Sequence, residues 1–261
     1  MARCELHYLL DGPADGPAVV LSPSLGTDVS MWEPQATRLA AAGFRVVRCD
    51  IRGHGASPVP DGPYELADLG GDLVALLDRL ELERARLCGI SIGGMISMWV
   101  AARQPQRVQR LIVCCTSALI DPDKTYRQRA QLVRSEGIEA IVEPVLARWV
   151  SPRFGERHPQ VRDRLRERLL ATPREGYAGC CEALADMDLR PDLPSVDAPT
   201  LVIAGADDPA TPPSHGRLIA DQITGARFEV VADAMHLANV EQPQAVGELL
   251  QGFLSDEEDT Q

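Results

Sequence analysis

The sequence predicts an α/β fold, a mostly parallel doubly wound sheet interrupted by a helical cap insertion. Three observations predict it. Short runs of β-branched and apolar residues alternate with longer amphipathic stretches, the pattern of strands covered by helices on both faces. Each amphipathic stretch ends in a glycine or proline stop or hands over to a strand. The alternation then fails for about seventy residues late in the chain, where only helical patterns are legible.

In order, AVVLS (18–22), FRVVRCD (44–50), RLCGI (86–90), RLIVCC (110–115), LVIAG (201–205) and RFEVV (227–231) read as buried strands. WEPQATRLAAAG (32–43), LADLGGDLVALLDRL (66–80) and GMISMWVAARQP (94–105) read as the helices between them. HYLLDGPADGPAVV resembles a short hairpin, which makes the sheet mixed. Residues 121–195 form the cap, with helices expected near 124–136, 138–150, 158–171 and 173–186, separated by Gly137, Pro152, Pro159 and Pro173. In open α/β sheets ligands bind at the carboxyl ends of the strands, where such a cap would sit. The core is then 1–120 with 196–254, and the acidic tail 255–261 is expected to be disordered.

Bulk composition narrows the function. The chain has 261 residues, enough for one large α/β domain, and a formal net charge of −12. That charge repels phosphate backbones, so no nucleic-acid partner is expected. No apolar run is long enough for a membrane span, and the first residues lack a signal-peptide pattern. The seven cysteines form neither C-x-x-C pairs nor an even framework, so they read as free core thiols of a cytoplasmic protein. No metal site and no nucleotide loop is present, and no cofactor is expected.

The chemistry-bearing motif is Gly89-Ile90-Ser91-Ile92-Gly93, a G-x-S-x-G between an apolar strand and a helix. A sharp strand-to-helix turn lifts the serine to the top of the sheet in a strained backbone conformation, the nucleophile elbow of the α/β-hydrolase fold. Residues two before and two after the serine are pressed together, and glycine at both removes the clash. The bare pattern occurs by chance as an ordinary Gly-rich turn; the strand before and the helix after carry the assignment.

Serine needs a base, and the fold orders its triad Ser, acid, His. His7 lies too early, in the first strand, and His54 in RGHG suits a structural or pocket-edge role. His158 reads as exposed in the cap, and His215 as the start of a helix. His236 follows the last strand at the same sheet edge as Ser91 and is the expected base. After LVIAG come Asp207 and Asp208; the turn favours Asp208 as the carboxylate that orients the imidazole, with Asp207 in the turn and Asp121 as the other place for an acid. Two backbone N–H donors are needed for the oxyanion: Ile92, after the nucleophile, and Leu25, in the loop SPSLGTDVSMW. Trp32 reads as packing at a helix start, and Arg162, Arg164, Arg166 and Arg168 as a solvated face.

SPSLGTDVSMWEPQ, DIRGHGAS, GISIGGM, YAGCCEALADMDLR, VIAGADDPATPP and MHLANVEQP run in order along nearly the whole chain. Together they resemble the 3-oxoadipate enol-lactone hydrolases of bacterial aromatic degradation (the β-ketoadipate pathway). The triad and elbow belong to the superfamily at large; SLGTD and ADMDLR carry the narrower likeness. Ser22-Pro23-Ser24 departs from that family, which often has Asn-Ser there. The resemblance implies a small carboxylated lactone as substrate, opened through an acyl-enzyme on Ser91. It also implies that Arg148 and Trp149 bind the substrate carboxylate. A general carboxylesterase, a carbon–carbon hydrolase or a perhydrolase shares the same triad, and a small-molecule receptor with a vestigial triad is the non-enzymatic reading. The sequence leaves open a homo-oligomer. It also leaves open a fusion to a carboxymuconolactone decarboxylase domain, for which the acidic tail would suit as a linker.

Overall fold

Every strand assigned from periodicity is present, and six of the seven strands run parallel. The computed structural model describes residues 3–120 and 125–256. Its strands are β1 (Tyr8–Asp11), β2 (Ala18–Ser22), β3 (Arg45–Cys49), β4 (Ala85–Ile90), β5 (Val108–Cys114), β6 (Thr200–Gly205) and β7 (Arg227–Val231), in the spatial order β1-β3-β2-β4-β5-β6-β7. The central strands β2 and β6 are buried at every residue, as expected of parallel strands covered on both faces. The edge strand β7 is not: its residues Arg227–Val230 are exposed or half-buried. An edge strand has only one hydrogen-bonded neighbour and can keep charged side chains in water.

The expected hairpin at the start is absent. β1 pairs antiparallel with β3, Tyr8 opposite Cys49 and Asp11 opposite Val46. β2 has both edges occupied by β3 and β4, so β1 is left the outer edge of β3. The guanidinium of Arg48 holds it there with two bonds to Asp11, at 2.8 and 3.1 Å. The sheet is mixed as expected, through a different pairing. His7 sits one residue before β1 rather than in it, and its Nδ1 lies 2.8 Å from Asp50 Oδ2.

The core helices are α1 (Glu33–Ala41), α2 (Leu66–Arg79), α3 (Ile92–Arg103), α9 (Pro213–Gln222), α10 (Ala238–Glu241) and α11 (Pro243–Ser255). Ser255, placed in the tail from its sequence, is the last residue of α11; 257–261 lie outside the described residues. Between β5 and β6 lie α4 (Thr125–Glu136), α5 (Val142–Trp149), α6 (Pro152–Arg157), α7 (Pro159–Ala171) and α8 (Arg174–Ala185). The segment expected as one helix over 138–150 divides into a 3-10 turn, Ile138–Ile141, and α5. The short α6 was not legible; Ser151 caps it by accepting from the Phe154 amide, with Pro152 at its first position.

Parallel register decides where chemistry can occur. Ser22 stands opposite Gly89, Ile90 opposite Cys114, and Gly205 opposite Val231. The loops after β2, β4, β6 and β7 therefore leave from one edge of the sheet, and the helices α4–α8 supply the residues that close over it.

Candidate active site

The turn after β4 has the geometry its glycines imply. Ser91 adopts φ 56° and ψ −121°, a region few non-glycine residues enter. A β-carbon on Gly89 would lie 2.1 Å from the Gly93 carbonyl oxygen, and one on Gly93 would lie 2.4 Å from that of Ser22. The turn is closed further by Thr116 Oγ1, which donates to the Ser91 carbonyl at 2.7 Å. Ile92 opens α3, so its N–H is one of the first-turn donors without a partner in the helix.

Three side chains from three loops meet in line. His236 Nε2 lies 2.9 Å from Ser91 Oγ, and His236 Nδ1 lies 2.9 Å from Asp208 Oδ2. Asp208 is buried and fully engaged: Oδ1 accepts from the amides of Ala210 and Thr211, at 2.8 and 3.0 Å, and Oδ2 from the Thr211 hydroxyl at 2.7 Å. Burial alone would raise this carboxyl, but the bond to and charge of His236, with the Thr211 donors, hold it below the ordinary carboxylate value. Asp207 is exposed and contributes only its amide, to the Ala234 carbonyl. Asp121 lies outside the described residues.

The remaining histidines stand apart from this line. His54 is fully buried, with Nδ1 at 3.2 Å from the Arg52 carbonyl, and burial pushes its imidazole down to about 4. His158 is exposed, and His215 lies in the first turn of α9. Trp32 packs in the core and donates from Nε1 to the Ser22 carbonyl, at the root of the loop that carries Leu25.

A cavity of about 30 Å³ lies over Ser91 and His236. Ser24 and Leu25 bound it below; Tyr126, Arg129, Arg148, Trp149 and Tyr177, all from the inserted helices, bound it above. A larger cavity of about 390 Å³ lies outside, between α6, α7 and the loop at Asp28, and neither Ser91 nor His236 borders it. Arg148 and Trp149 thus reach the serine from the end of α5. Trp149 is buried, and Arg148 is half-buried with its Nε on the Pro144 carbonyl. The arginines of α7 behave otherwise: Arg162 and Arg166 pair with Glu143, and Arg168 with Asp28.

Sequence reasoning missed Tyr126 and Arg129, which no local motif marks, and gave no role to Tyr177, the first residue of the YAGCCEALADMDLR stretch. It also missed Glu241. This buried carboxylate accepts from the Ser151 amide and hydroxyl, both at 2.7 Å, and from the Met235 amide. It ties the α5–α6 junction to the histidine loop. The same two segments are joined again by His236 N–H to the Arg148 carbonyl and Leu237 N–H to the Trp149 carbonyl. The acid six residues after Met235 was visible in sequence, but its other partner, Ser151, is 90 residues away.

Residues 17–243 match the model of the alpha/beta hydrolase fold family. The 3-oxoadipate enol-lactonase 2 of Acinetobacter baylyi is 43% identical over 249 residues, which cover 95% of this chain and 92% of that protein. The crystal structure of the enol-lactonase from Burkholderia xenovorans LB400 is 42% identical, covers 97% of each chain and superposes with a TM-score of 0.94. A thermophilic esterase from Thermogutta terrifontis, solved with malate bound, is 32% identical with a TM-score of 0.91, covering 96% of this chain and 93% of its own.

Proposed function

The chain belongs to the alpha/beta hydrolase fold family, in the group that holds the 3-oxoadipate enol-lactonases, and we propose that it hydrolyses 3-oxoadipate enol-lactone to 3-oxoadipate. The observation that carries the chemistry is the unbroken line from Asp208 through His236 to Ser91, with both contacts at 2.9 Å.

His236 Nε2 takes the Ser91 proton as Oγ bonds to the lactone carbonyl carbon, and Asp208 stabilises the imidazolium. The carbonyl oxygen becomes an oxyanion held by the Leu25 and Ile92 amides. The ring C–O bond breaks, the enol oxygen takes the proton from His236, and the enol ketonises while the acyl group stays on Ser91. Water, deprotonated by His236, attacks the ester, and Ser91 leaves with the proton. An enol is a stable leaving group, so little general-acid help is required. Arg148, walled by Trp149, grips the substrate carboxylate through paired N–H donors.

The inserted helices serve as the cap that excludes water from this reaction. No helix among the described residues is long and apolar enough to cross a membrane. All seven cysteines are free thiols, in keeping with a reducing cytoplasm. The relatives' chains are matched almost end to end and leave little length for a fused decarboxylase.

Purified protein should label with a fluorophosphonate probe and open the enol-lactone, and Ser91→Ala should abolish both. Absence of labelling in the native chain would defeat the serine-hydrolase reading. Turnover of p-nitrophenyl acetate without turnover of the lactone would leave a general esterase instead.

A further inference from the structure

The loop that carries Leu25 is held by a sulfur atom. After β2 the chain closes a tight turn, with the Thr27 amide donating to the Ser24 carbonyl at 3.1 Å. Gly26, at φ 80°, supplies the left-handed conformation that such a turn requires at its third position. Pro23 has no N–H to donate, and the Ser24 N–H donates to Met31 Sδ at 3.3 Å. The Thr27 hydroxyl donates to the Ser24 carbonyl at 2.7 Å and lies 2.9 Å from the same sulfur. Among the described residues the Leu25 N–H takes no acceptor, and Leu25 lines the cavity over Ser91.

The backbone of Met31 is fixed at both ends. It lies in a 3-10 turn, Val29–Trp32, with its N–H on the Asp28 carbonyl and its carbonyl accepting from Asn239 Nδ2 of α10 at 2.9 Å. Its side chain has three rotatable bonds and borders the 390 Å³ cavity, so packing alone leaves it room to point elsewhere. The bonds to the turn direct it inward. A thioether is a weak acceptor, but Ser24 is only 1% exposed, and its amide has no bulk water to take the sulfur's place. The start of α3 presses on the same loop from the other side. A β-carbon on Gly93 would lie 2.4 Å from the Ser22 carbonyl oxygen and 2.7 Å from that of Pro23. The loop is therefore wedged between the helix that opens with Ile92 and the Met31 sulfur.

We propose that Met31 is a positioning residue of the oxyanion hole: its sulfur fixes the Ser24–Thr27 turn, so that the Leu25 N–H stands beside the Ile92 N–H before substrate arrives. The proposal rests on the reading of Ser91 as nucleophile with Leu25 and Ile92 as donors. A preorganised donor acts on the charge that develops on the carbonyl oxygen. Loosening the turn therefore weakens binding of the transition state and leaves the ground state nearly unchanged, whatever else the ester carries.

The test compares the native chain with Met31→Leu and Met31→Gln. The first keeps the apolar volume and drops the acceptor; the second keeps a side chain of similar length and offers an acceptor oxygen. Met31→Leu should lower kcat about 10- to 100-fold on both the enol-lactone and p-nitrophenyl acetate, with KM within about threefold of native. A trifluoromethyl ketone takes Ser91 Oγ onto its carbonyl carbon and leaves an oxyanion in the hole. Its affinity should fall by the factor by which kcat/KM falls. The Ser24 amide should exchange its hydrogen about three- to tenfold faster. Met31→Gln should recover part of each change. A loss of stability with kcat and ketone affinity unchanged per folded molecule would give Met31 a packing role only and overturn the proposal. Equal losses in Met31→Leu and Met31→Gln, or native exchange at Ser24 in Met31→Leu, would overturn it too. If the native chain opens neither ester, the proposed function falls by itself, and the exchange rate still decides whether the sulfur holds the turn.

Discussion

Replacing Glu241 by alanine should loosen His236 without touching Ser91 or Asp208, the two side chains it bonds. Its carboxylate accepts three donors: the Ser151 amide, the Ser151 hydroxyl and the Met235 amide. Each bond to a charged acceptor contributes about 1.5–3 kcal/mol net. The side chain also borders the 390 Å³ cavity, so water can enter the space left by alanine and rehydrate part of what is exposed. The expected loss is about 2–4 kcal/mol, read as a lower urea midpoint at unchanged slope. His236 lies one residue after Met235, and its amide is held by the Arg148 carbonyl at 3.3 Å. Slack in this junction misplaces the imidazole relative to Ser91, and kcat should fall about 10- to 100-fold with KM changed far less. Glu241→Gln separates the two sides. Its carbonyl oxygen can still accept from Ser151, but its amide then meets the Met235 N–H, donor against donor, so the loss should be intermediate. Stability within about 0.5 kcal/mol of the native chain, together with a kcat within about twofold, would refute the reasoning.

Two further outcomes follow from the packing. Gly89→Ala places a β-carbon 2.1 Å from a backbone oxygen that cannot move without unwinding α3. The variant should lose at least about 3 kcal/mol and its probe labelling together; a native melting curve with intact labelling would contradict this. His54 is buried as the neutral imidazole, lowered from 6.5 to about 4. The unfolded chain therefore binds its proton first. Stability from this residue is whole above pH 6.5, declines as the pH falls and is fully lost below about pH 4, about 3 kcal/mol in all. Urea midpoints at pH 7 and pH 4.5 should differ less in His54→Phe than in the native chain. An undiminished difference would show that other groups carry the acid sensitivity.

The order of strands and the elbow were legible because each is local. Buried parallel strands must be apolar along their length, and a turn as tight as that at Ser91 tolerates only glycine at its two ends. Asp208 and His236 could be nominated from their position after the sixth and seventh strands, since parallel register sends those loops to one edge. The N-terminal pairing was not legible, because β1 chose its neighbour according to which strand edge remained free. Arg129, Tyr126, Tyr177 and Glu241 were equally hidden. Their side chains read as ordinary helix residues until α4, α5 and α8 are folded over the sheet. Sequence alone thus determined the fold class and nominated Ser91, Asp208 and His236, the three side chains that the structure brings into line. Only the tertiary structure decided which arginines face the serine and which acid ties the inserted helices to the histidine loop. Those choices depend on contacts between segments tens of residues apart, and no local spacing encodes them.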